Sequence, residues 1–263
     1  MSEKRVAIVT GGTRGMGRAI SERLAKDGNI VVAVYNANKA VAQQCEETLI
    51  KIQPQSCIMQ ADLSRQNAVK DLVAAVGEKY GRIDILVNNA GVFDFNFIED
   101  MTEEYLDRVM NTNFKGQFFM LQAVIPYMKK NKYGRIANAS SISGRFADVG
   151  LVAYAASKAA VNLMTGIASA ELAPYSITVN AYAPGIIHTD MTDSMIVERG
   201  DIQVQQISAH RFGTGEDAAA LVAFLVSPEA GYVTGEIVGV DGGFFKVQNA
   251  YRAYEYVAEK EKG

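Results

Sequence analysis

Short apolar segments rich in β-branched residues alternate along the chain with segments whose apolar residues recur every three or four positions. The first kind is typical of strands buried on both faces of a parallel sheet, and the second of amphipathic helices. The pattern predicts seven strands, at Val6–Thr10, Ile30–Tyr35, Ser56–Gln60, Ile83–Asn88, Arg135–Ser140, Ile177–Ala183 and Glu236–Val240. It predicts six helices between them, at Met16–Lys26, Lys39–Ile52, Gln66–Lys79, Asn113–Met128, Ala153–Leu172 and Glu216–Val226.

Regular strand–helix alternation predicts an α/β fold of the Rossmann type, a doubly wound, seven-stranded parallel sheet with helices on both faces. Because no Pro-, Gly- or Ser-rich linker interrupts the alternation, we expect residues 1–243 to form a single domain. Residues 186–213 are only loosely periodic and are predicted to be a lid insertion. Residues 244–263 are predicted to be a helical C-terminal extension, with Asn249 as the cap of a helix over residues 250–258. Its proposed contact stripe contains Tyr251, Tyr254, Val257 and Ala258.

Composition narrows the class of protein. Of the 263 residues, 49% are apolar and 21% are charged, with a net charge of −3, which is typical of a soluble globular protein. The lack of a basic run argues against nucleic acid as a partner. No apolar run approaches the roughly 20 residues that span a bilayer, and no signal-peptide pattern opens the chain, so we expect a cytoplasmic protein. Two cysteines and two histidines are too few for a disulfide framework or a multi-histidine metal site.

The first predicted strand leads into a glycine-rich turn and a helix, with the sequence Thr10-Gly11-Gly12-Thr13-Arg14-Gly15-Met16-Gly17. Backbone N–H groups at such a helix N-terminus can bind a phosphate. The spacing is G-x-x-x-G-x-G and not G-x-G-x-x-G, and a tight turn with packing glycines is the alternative interpretation. The second predicted strand ends without the acid that would accept hydrogen bonds from a ribose 2′-hydroxyl. Since Arg14 could hold a 2′-phosphate, NADP(H) is the predicted cofactor, with NAD(H) as the alternative.

Tyr154 and Lys158 are four residues apart on a predicted helix, so their side chains share one face. A nearby ammonium favours the phenolate and should lower the pKa of the tyrosine towards the range of an acid–base catalyst. Ser141 follows the fifth predicted strand, at the sheet edge where open α/β sheets bind ligands. A Tyr–Lys pair at this spacing also arises by chance, and its co-occurrence with the serine and the turn gives it weight.

Together with Asp62, the segment Asn88–Gly91, Asn113, Pro184-Gly185 and Asp241-Gly242-Gly243, these motifs resemble those of the single-domain short-chain dehydrogenases/reductases. The resemblance spans residues 4 to about 243. It implies that Tyr154 donates a proton to a substrate carbonyl that Ser141 hydrogen-bonds. It also implies that Lys158 binds the nicotinamide ribose and lowers the tyrosine pKa, and that Asn113 holds a relay water. The implied cofactor-binding residues are Gly11, Thr13, Arg14, Gly15, Met16, Gly17, Tyr35, Asn36, Asp62, Leu63, Asn89, Ala90, Gly91, Tyr154, Lys158, Pro184, Gly185, Ile187 and Thr189.

Within that family the chain looks most like the 3-oxoacyl-acyl-carrier-protein reductases and related small carbonyl reductases. The resemblance implies a reversible, NADPH-dependent reduction of a ketone to a secondary alcohol and a homotetramer. The extension is predicted to pack on the body of the fold or at an interface with a neighbouring subunit. Of the two basic docking positions of the carrier-protein reductases, one maps to Lys132, but the other maps to Tyr175. The alternatives are an NAD-linked polyol, sugar-alcohol or hydroxysteroid dehydrogenase and a dinucleotide-binding sensor or scaffold. The predicted substrate pocket contains Phe93, Phe95, Ser143, Phe146, His188, Met191 and Met195.

Overall fold

A computed structural model describes residues 4–261 and places a seven-stranded parallel sheet at their centre, in the order β3-β2-β1-β4-β5-β6-β7. The prediction of a doubly wound Rossmann-type sheet is therefore confirmed. Each strand lies within a few residues of its predicted position. The strands are β1 (Val6–Thr10), β2 (Ile30–Tyr35), β3 (Cys57–Gln60), β4 (Ile85–Asn88), β5 (Gly134–Ala139), β6 (Ile177–Pro184) and β7 (Ile237–Val240).

Helices cover both faces of the sheet. Alternate residues of the strands face opposite ways, so Val6 and Ile8 belong to one apolar core, whereas Ala7 and Val9 belong to the other. The helices α3, α5 and α6 contribute to the first core, and α1, α2 and α8 contribute to the second. The helices are α1 (Gly15–Lys26), α2 (Lys39–Ile52), α3 (Gln66–Tyr80), α4 (Glu103–Met110), α5 (Gly116–Asn131), α6 (Val152–Leu172), α7 (Asp193–Gln205), α8 (Gly215–Leu225) and α9 (Arg252–Lys260).

Two helices, α4 and α7, are absent from the predicted elements. The helix α4 is only eight residues long and, although its apolar residues share one side, only Val109 is buried; α7 has no buried residue. The segment Asn111–Lys115 forms a π-helical turn between α4 and α5, and the helix expected to begin at Asn113 instead begins at Gly116. The feature of the sequence that could have predicted α4 is its N-cap residue, Thr102, whose hydroxyl accepts a hydrogen bond from the Tyr105 N–H.

The C-terminal extension differs from its prediction. Asn249 does not cap the helix: it has a φ of +55°, and α9 begins at Arg252. Of the predicted stripe, Tyr254 contacts the body of the fold: it donates a 2.7 Å hydrogen bond to the Ser208 carbonyl, and its ring lies 4.4 Å from that of His210. Residues 1–3 of the predicted domain and 262–263 of the extension lie outside the described residues.

The first residues of the extension pack against the body of the fold. Phe244 is buried in a small apolar cluster with Ile142 and Ile207, close to the carboxyl edge of the sheet. Among residues 4–261, no helix has the length and apolar character needed to cross a membrane. The strand order reverses between β1 and β4, and open α/β sheets bind ligands at the carboxyl edge of such a switch point.

Candidate active site

A cleft of about 1410 Å³ opens at the carboxyl edge of the sheet. Its walls come from the glycine-rich turn after β1, the loops after β2 to β6, the helix α7 and the start of the extension. The structure brings every predicted cofactor-binding residue to this cleft, namely Gly11, Thr13, Arg14, Gly15, Met16, Gly17, Tyr35, Asn36, Asp62, Leu63, Asn89, Ala90, Gly91, Tyr154, Lys158, Pro184, Gly185, Ile187 and Thr189.

Two glycines give the turn its shape. A Cβ on Gly17 would lie 2.1 Å from the Gly11 carbonyl oxygen, so the chain can close on itself only where no side chain is present. Gly15 has a φ of +50°, and a Cβ there would lie 3.4 Å from Thr189, on the loop after β6. The turn and that loop therefore face each other across a narrow gap, in which backbone N–H groups at the start of α1 are available to a phosphate.

Asn89 joins the glycine-rich turn to the neighbouring strands. Its Nδ2 donates to the carbonyls of Thr10 (3.1 Å) and Gly11 (3.3 Å). Its Oδ1 accepts a hydrogen bond from the buried hydroxyl of Tyr182 on β6, at 3.1 Å. Sequence reasoning missed Tyr182, because a tyrosine in a continuous apolar strand is indistinguishable from a core residue. The network holds three strand ends in a fixed relation.

The end of β2 carries no acid. Asn36 and Asn38 line the cleft there, and Asn38 caps α2 by accepting from the Val41 N–H. The nearest acid along this wall, Asp62 after β3, accepts hydrogen bonds from the backbone N–H and the hydroxyl of Ser64. Arg14 is exposed, and its guanidinium has no hydrogen-bond or ion-pair partner within residues 4–261. A positive group without a protein partner thus stands at the N-terminus of α1.

Ser141, Tyr154 and Lys158 converge where β5 and α6 meet. Tyr154 and Lys158 lie one turn apart near the start of α6, with the lysine Nζ 5.5 Å from the centre of the tyrosine ring. Lys158 is buried and donates a 2.8 Å hydrogen bond to the Ala139 carbonyl at the end of β5. The Ser141 side chain, two residues beyond, lies close enough to the Tyr154 phenol to lower its pKa. The serine and the phenol could both contact one oxygen atom of a ligand.

Burial governs the acidity of these groups. Enclosure by the surrounding protein raises the pKa of the Tyr154 phenol, and the neighbouring Ser141 side chain partly opposes that rise. Burial also lowers the pKa of the Lys158 ammonium to about 8. In the protein by itself burial thus dominates the pKa of Tyr154, and the expectation that Lys158 lowers that pKa stays a prediction.

Asn113 lies in the π-helical turn and is fully buried, behind the residues that line the cleft. Its Oδ1 accepts from the Val92 N–H, and its Nδ2 donates to the Val92 carbonyl and to the Ser157 hydroxyl. Ser157 in turn donates to the Tyr154 carbonyl at 2.6 Å. The side chain of Asn113 therefore connects the loop after β4 to the second turn of α6.

Six of the seven predicted substrate-pocket residues line the cleft: Phe93, Phe95, Ser143, Phe146, Met191 and Met195. His188 does not, which corrects its predicted place. It is exposed, and its Nε2 lies 2.8 Å from a carboxylate oxygen of Asp193 at the start of α7. Sequence reasoning missed several other lining residues: Phe244 and Phe245 in the extension and Glu198, Arg199, Ile202 and Gln203 on α7. For Phe244 and Phe245, the presence of two adjacent phenylalanines was the feature of the sequence that could have indicated a lining role.

Comparisons with known proteins agree with this geometry. Residues 5–199 match the family model described as short chain dehydrogenase. The chain is 39% identical over 239 residues to a 3-oxoacyl-[acyl-carrier-protein] reductase from Staphylococcus epidermidis, covering 91% of this chain and 98% of that one. It is 38% identical over 244 residues to the protein of that name from Thermotoga maritima, covering 92% and 98%.

A solved structure described as a putative short-chain alcohol dehydrogenase from Sinorhizobium meliloti superposes with a TM-score of 0.88 at 31% identity. The superposition covers 92% of this chain and 96% of that one. The family model and these relatives confirm the resemblance that the sequence motifs carry. The chain therefore belongs to the short-chain dehydrogenase/reductase family, whose members are NAD(P)-dependent oxidoreductases acting on CH–OH and carbonyl groups.

Proposed function

We propose that the protein reduces a ketone to a secondary alcohol with NADPH, reversibly, and that Tyr154 donates the proton. The observation that carries the proposal is that Ser141, Tyr154 and Lys158 share one cleft with a glycine-rich turn and an unpaired Arg14. Bound NADPH would supply the hydride. The protein's own task is to position the carbonyl, hydrogen-bond its oxygen and deliver one proton.

Ser141 and Tyr154 fit that task. Because the Ser141 side chain lies close to the phenol, a carbonyl oxygen placed between the two hydroxyls would accept a hydrogen bond from each. The raised pKa of Tyr154 keeps the phenol protonated at neutral pH, as a proton donor requires. The same burial would strengthen hydrogen bonds to the oxygen as it gains negative charge.

Lys158 and the glycine-rich turn fit a bound dinucleotide. An ammonium has three donors, and Nζ uses one of them on the Ala139 carbonyl, which leaves two for ribose hydroxyls. The gap between Gly15 and Thr189 is one that a side chain on Gly15 would fill, so it suits a pyrophosphate. Positive charge at Lys158 would also favour the phenolate during proton transfer, against the effect of burial.

The preference for NADP(H) over NAD(H) is part of the proposal. An acid at the end of β2 would repel a 2′-phosphate, and asparagines occupy that wall. Arg14 has the free guanidinium that a phosphate binds in bidentate geometry. Both observations support NADPH, and neither favours the NAD-linked polyol, sugar-alcohol or hydroxysteroid dehydrogenase.

The names of the relatives support a 3-oxoacyl compound or another small carbonyl compound as substrate. At the second docking position expected of carrier-protein reductases stands Tyr175, whose ring lies 4.0 Å from the Nζ of Lys129. That lysine is thus drawn onto a neighbouring aromatic ring. Because a tyrosine stands where a basic residue is expected, this surface agrees better with a small carbonyl substrate than with one delivered by an acyl carrier protein.

We also propose a single catalytic domain over residues 1–243, with residues 186–213 as its lid, working in a cytoplasmic homotetramer. The position of α7 on the wall of the cleft supports the lid. Exposed apolar side chains on α5 and α6, among them Phe118, Leu163 and Ile167, support subunit contacts along those helices. Proteins of this size with such faces commonly form closed symmetric assemblies.

Replacing the proton donor tests the mechanism. Tyr154→Phe should lower kcat for ketone reduction about 100-fold or more, since general acid catalysis contributes on that order. Reduction is followed by the loss of NADPH absorbance, and cofactor binding by NADPH fluorescence should persist. Retention of full turnover by this variant would refute the assignment of Tyr154.

Replacing Lys158 tests whether burial of its ammonium lowers the stability of the folded protein. Lys158→Met should abolish reduction and yet raise the free energy of unfolding of the cofactor-free protein at pH 7, by up to about 3 kcal/mol. At that pH both folded and unfolded chains hold the lysine proton, so the folded chain bears the whole cost of a buried ammonium. Between pH about 8 and 10.5 the folded chain has lost the proton and the unfolded chain has not. The stability of the wild type should therefore approach that of the variant.

Urea unfolding at pH 7 and at pH 10 measures this difference. Lys26→Met, at the exposed end of α1, is the matched control and should change stability little at either pH. A Lys158→Met protein that is less stable than the wild type at pH 7, or a difference independent of pH, would contradict the argument.

Replacing the unpaired arginine tests the cofactor. Arg14→Ala should raise the KM for NADPH about 10- to 100-fold, because a charge-assisted hydrogen bond to phosphate is lost. The KM for NADH should change little. Arg23→Ala, on the same helix but paired with Asp27, is the control. Equal effects of Arg14→Ala on both cofactors would show that the arginine does not read the 2′-phosphate.

A further inference from the structure

Five phenylalanines line one part of the cleft, and we call them the aromatic rim: Phe93, Phe95, Phe97, Phe146 and Phe245. Phe93 meets Tyr154 edge to face, with ring centres 5.1 Å apart and planes at 83°. Phe93 meets Phe95 in the same manner at 5.2 Å. The rim therefore begins at the phenol to which the proposed function assigns the proton.

The rim continues through the C-terminal extension. The ring of Phe146 lies 5.7 Å from that of Phe245, which stacks on the buried Phe244 at 4.0 Å. Phe245 has a φ of +57°, which is a left-handed conformation. This conformation is unfavourable in free energy for any residue that carries a side chain. The packing of Phe244 with Ile142 and Ile207 holds this backbone in place. The structure thus maintains an unfavourable conformation that presents the Phe245 ring to the cleft.

The rim leaves aromatic surface uncovered. Phe97 is 58% exposed, Phe95 46% and Phe245 45%, and each lines the cleft. Clustered apolar surface inside a groove is typical of a ligand-binding surface. Because aromatic rings prefer edge-to-face and offset contacts with other rings, an aryl group on the ligand would gain more from this rim than an alkyl group of similar size.

The charged residues of the cleft also discriminate between possible substrates. Besides the buried Lys158, the charged residues among the described cleft-lining residues after Phe93 are Asp148, Asp190, Glu198 and Arg199. Three negative charges against two positive charges, with the protonated Lys158 counted, leave this part of the cleft with a net charge of −1. An anionic substrate would be repelled, and an acyl group carried on a phosphate-bearing or acidic carrier is anionic.

We propose that the substrate is a neutral ketone with an aromatic substituent next to the carbonyl, and that Phe245 is a specificity-determining residue. This rests on the ketone reduction proposed above. The aryl group would lie against the rim while its carbonyl reaches Ser141 and Tyr154. The extension would then serve as a wall of the substrate site.

Three ketones test the proposal with the full-length protein and NADPH: acetophenone, cyclohexyl methyl ketone and 4-acetylbenzoate. We expect kcat/KM for acetophenone to exceed that for the cyclohexyl compound about three- to tenfold, the range of aromatic pair contacts. It should exceed that for the carboxylate about tenfold at low salt. The second ratio should shrink as ionic strength rises, because salt screens the acids at the mouth.

A variant assigns the preference to the rim. Phe245→Leu keeps apolar bulk but removes the ring, and it should reduce the aryl-over-cyclohexyl ratio to near one. Phe224→Leu, an equally exposed phenylalanine on α8 outside the cleft, should leave that ratio unchanged. Thermal unfolding of both variants checks that they fold.

The outcomes distinguish this proposal from the function on which it rests. If no ketone in the panel, and no 3-oxoacyl thioester, consumes NADPH or NADH, the proposed ketone reduction fails. If ketones are reduced but the cyclohexyl compound, 4-acetylbenzoate or a 3-oxoacyl-coenzyme A matches or exceeds acetophenone, the substrate class alone is overturned. An unchanged ratio in Phe245→Leu removes the role of Phe245.

Discussion

The burial of a lysine ammonium between β5 and α6 is the constraint on which the site depends. Within residues 4–261 the Lys158 ammonium has a single hydrogen-bond partner, the Ala139 carbonyl, and burial lowers its pKa to about 8. Burying a charge with so little compensation costs stability, and a leucine or methionine would suit the position better. The arrangement makes sense where the charge acts on something else, and the nearest candidates are the Tyr154 phenol and a nicotinamide ribose.

That constraint reaches into the surrounding framework. The lysine can meet the Ala139 carbonyl only if the first two turns of α6 lie over the end of β5. Asn113 helps to hold them there, because its side chain joins the loop after β4 to Ser157 in the second turn. A π-helical turn, which shifts the helical register locally and is frequent at functional sites, brings Asn113 to this position. Asn113 therefore acts in this structure as a positioning residue.

The sequence predicts the strands and the main helices because their burial is strong and continuous. The strands β1, β4, β5 and β6 are buried at every position, whereas the edge strands β3 and β7 are only partly buried and are predicted from their short apolar segments. The helix α7 has no buried face, so no periodic spacing of apolar residues predicts it. The left-handed Asn249 and the hydrogen bond from Tyr254 to the distant Ser208 carbonyl leave no mark in the apolar spacing of the extension. The raised pKa of Tyr154 was also beyond sequence reasoning, since it reflects the enclosure of the ring and not its spacing from Lys158.

Phe93 contacts the proposed proton donor and also belongs to the aromatic rim. Its ring packs against Tyr154 and so contributes to the enclosure that keeps the phenol protonated, and it is also the first member of the aromatic rim. A neutral aryl group seated on that rim would displace water from the neighbourhood of the phenol and strengthen its hydrogen bond to the ligand oxygen. An anionic group would instead bring its own hydration and meet Asp148, Asp190 and Glu198. Selection of the substrate and tuning of the proton donor would therefore rest on the same exclusion of water.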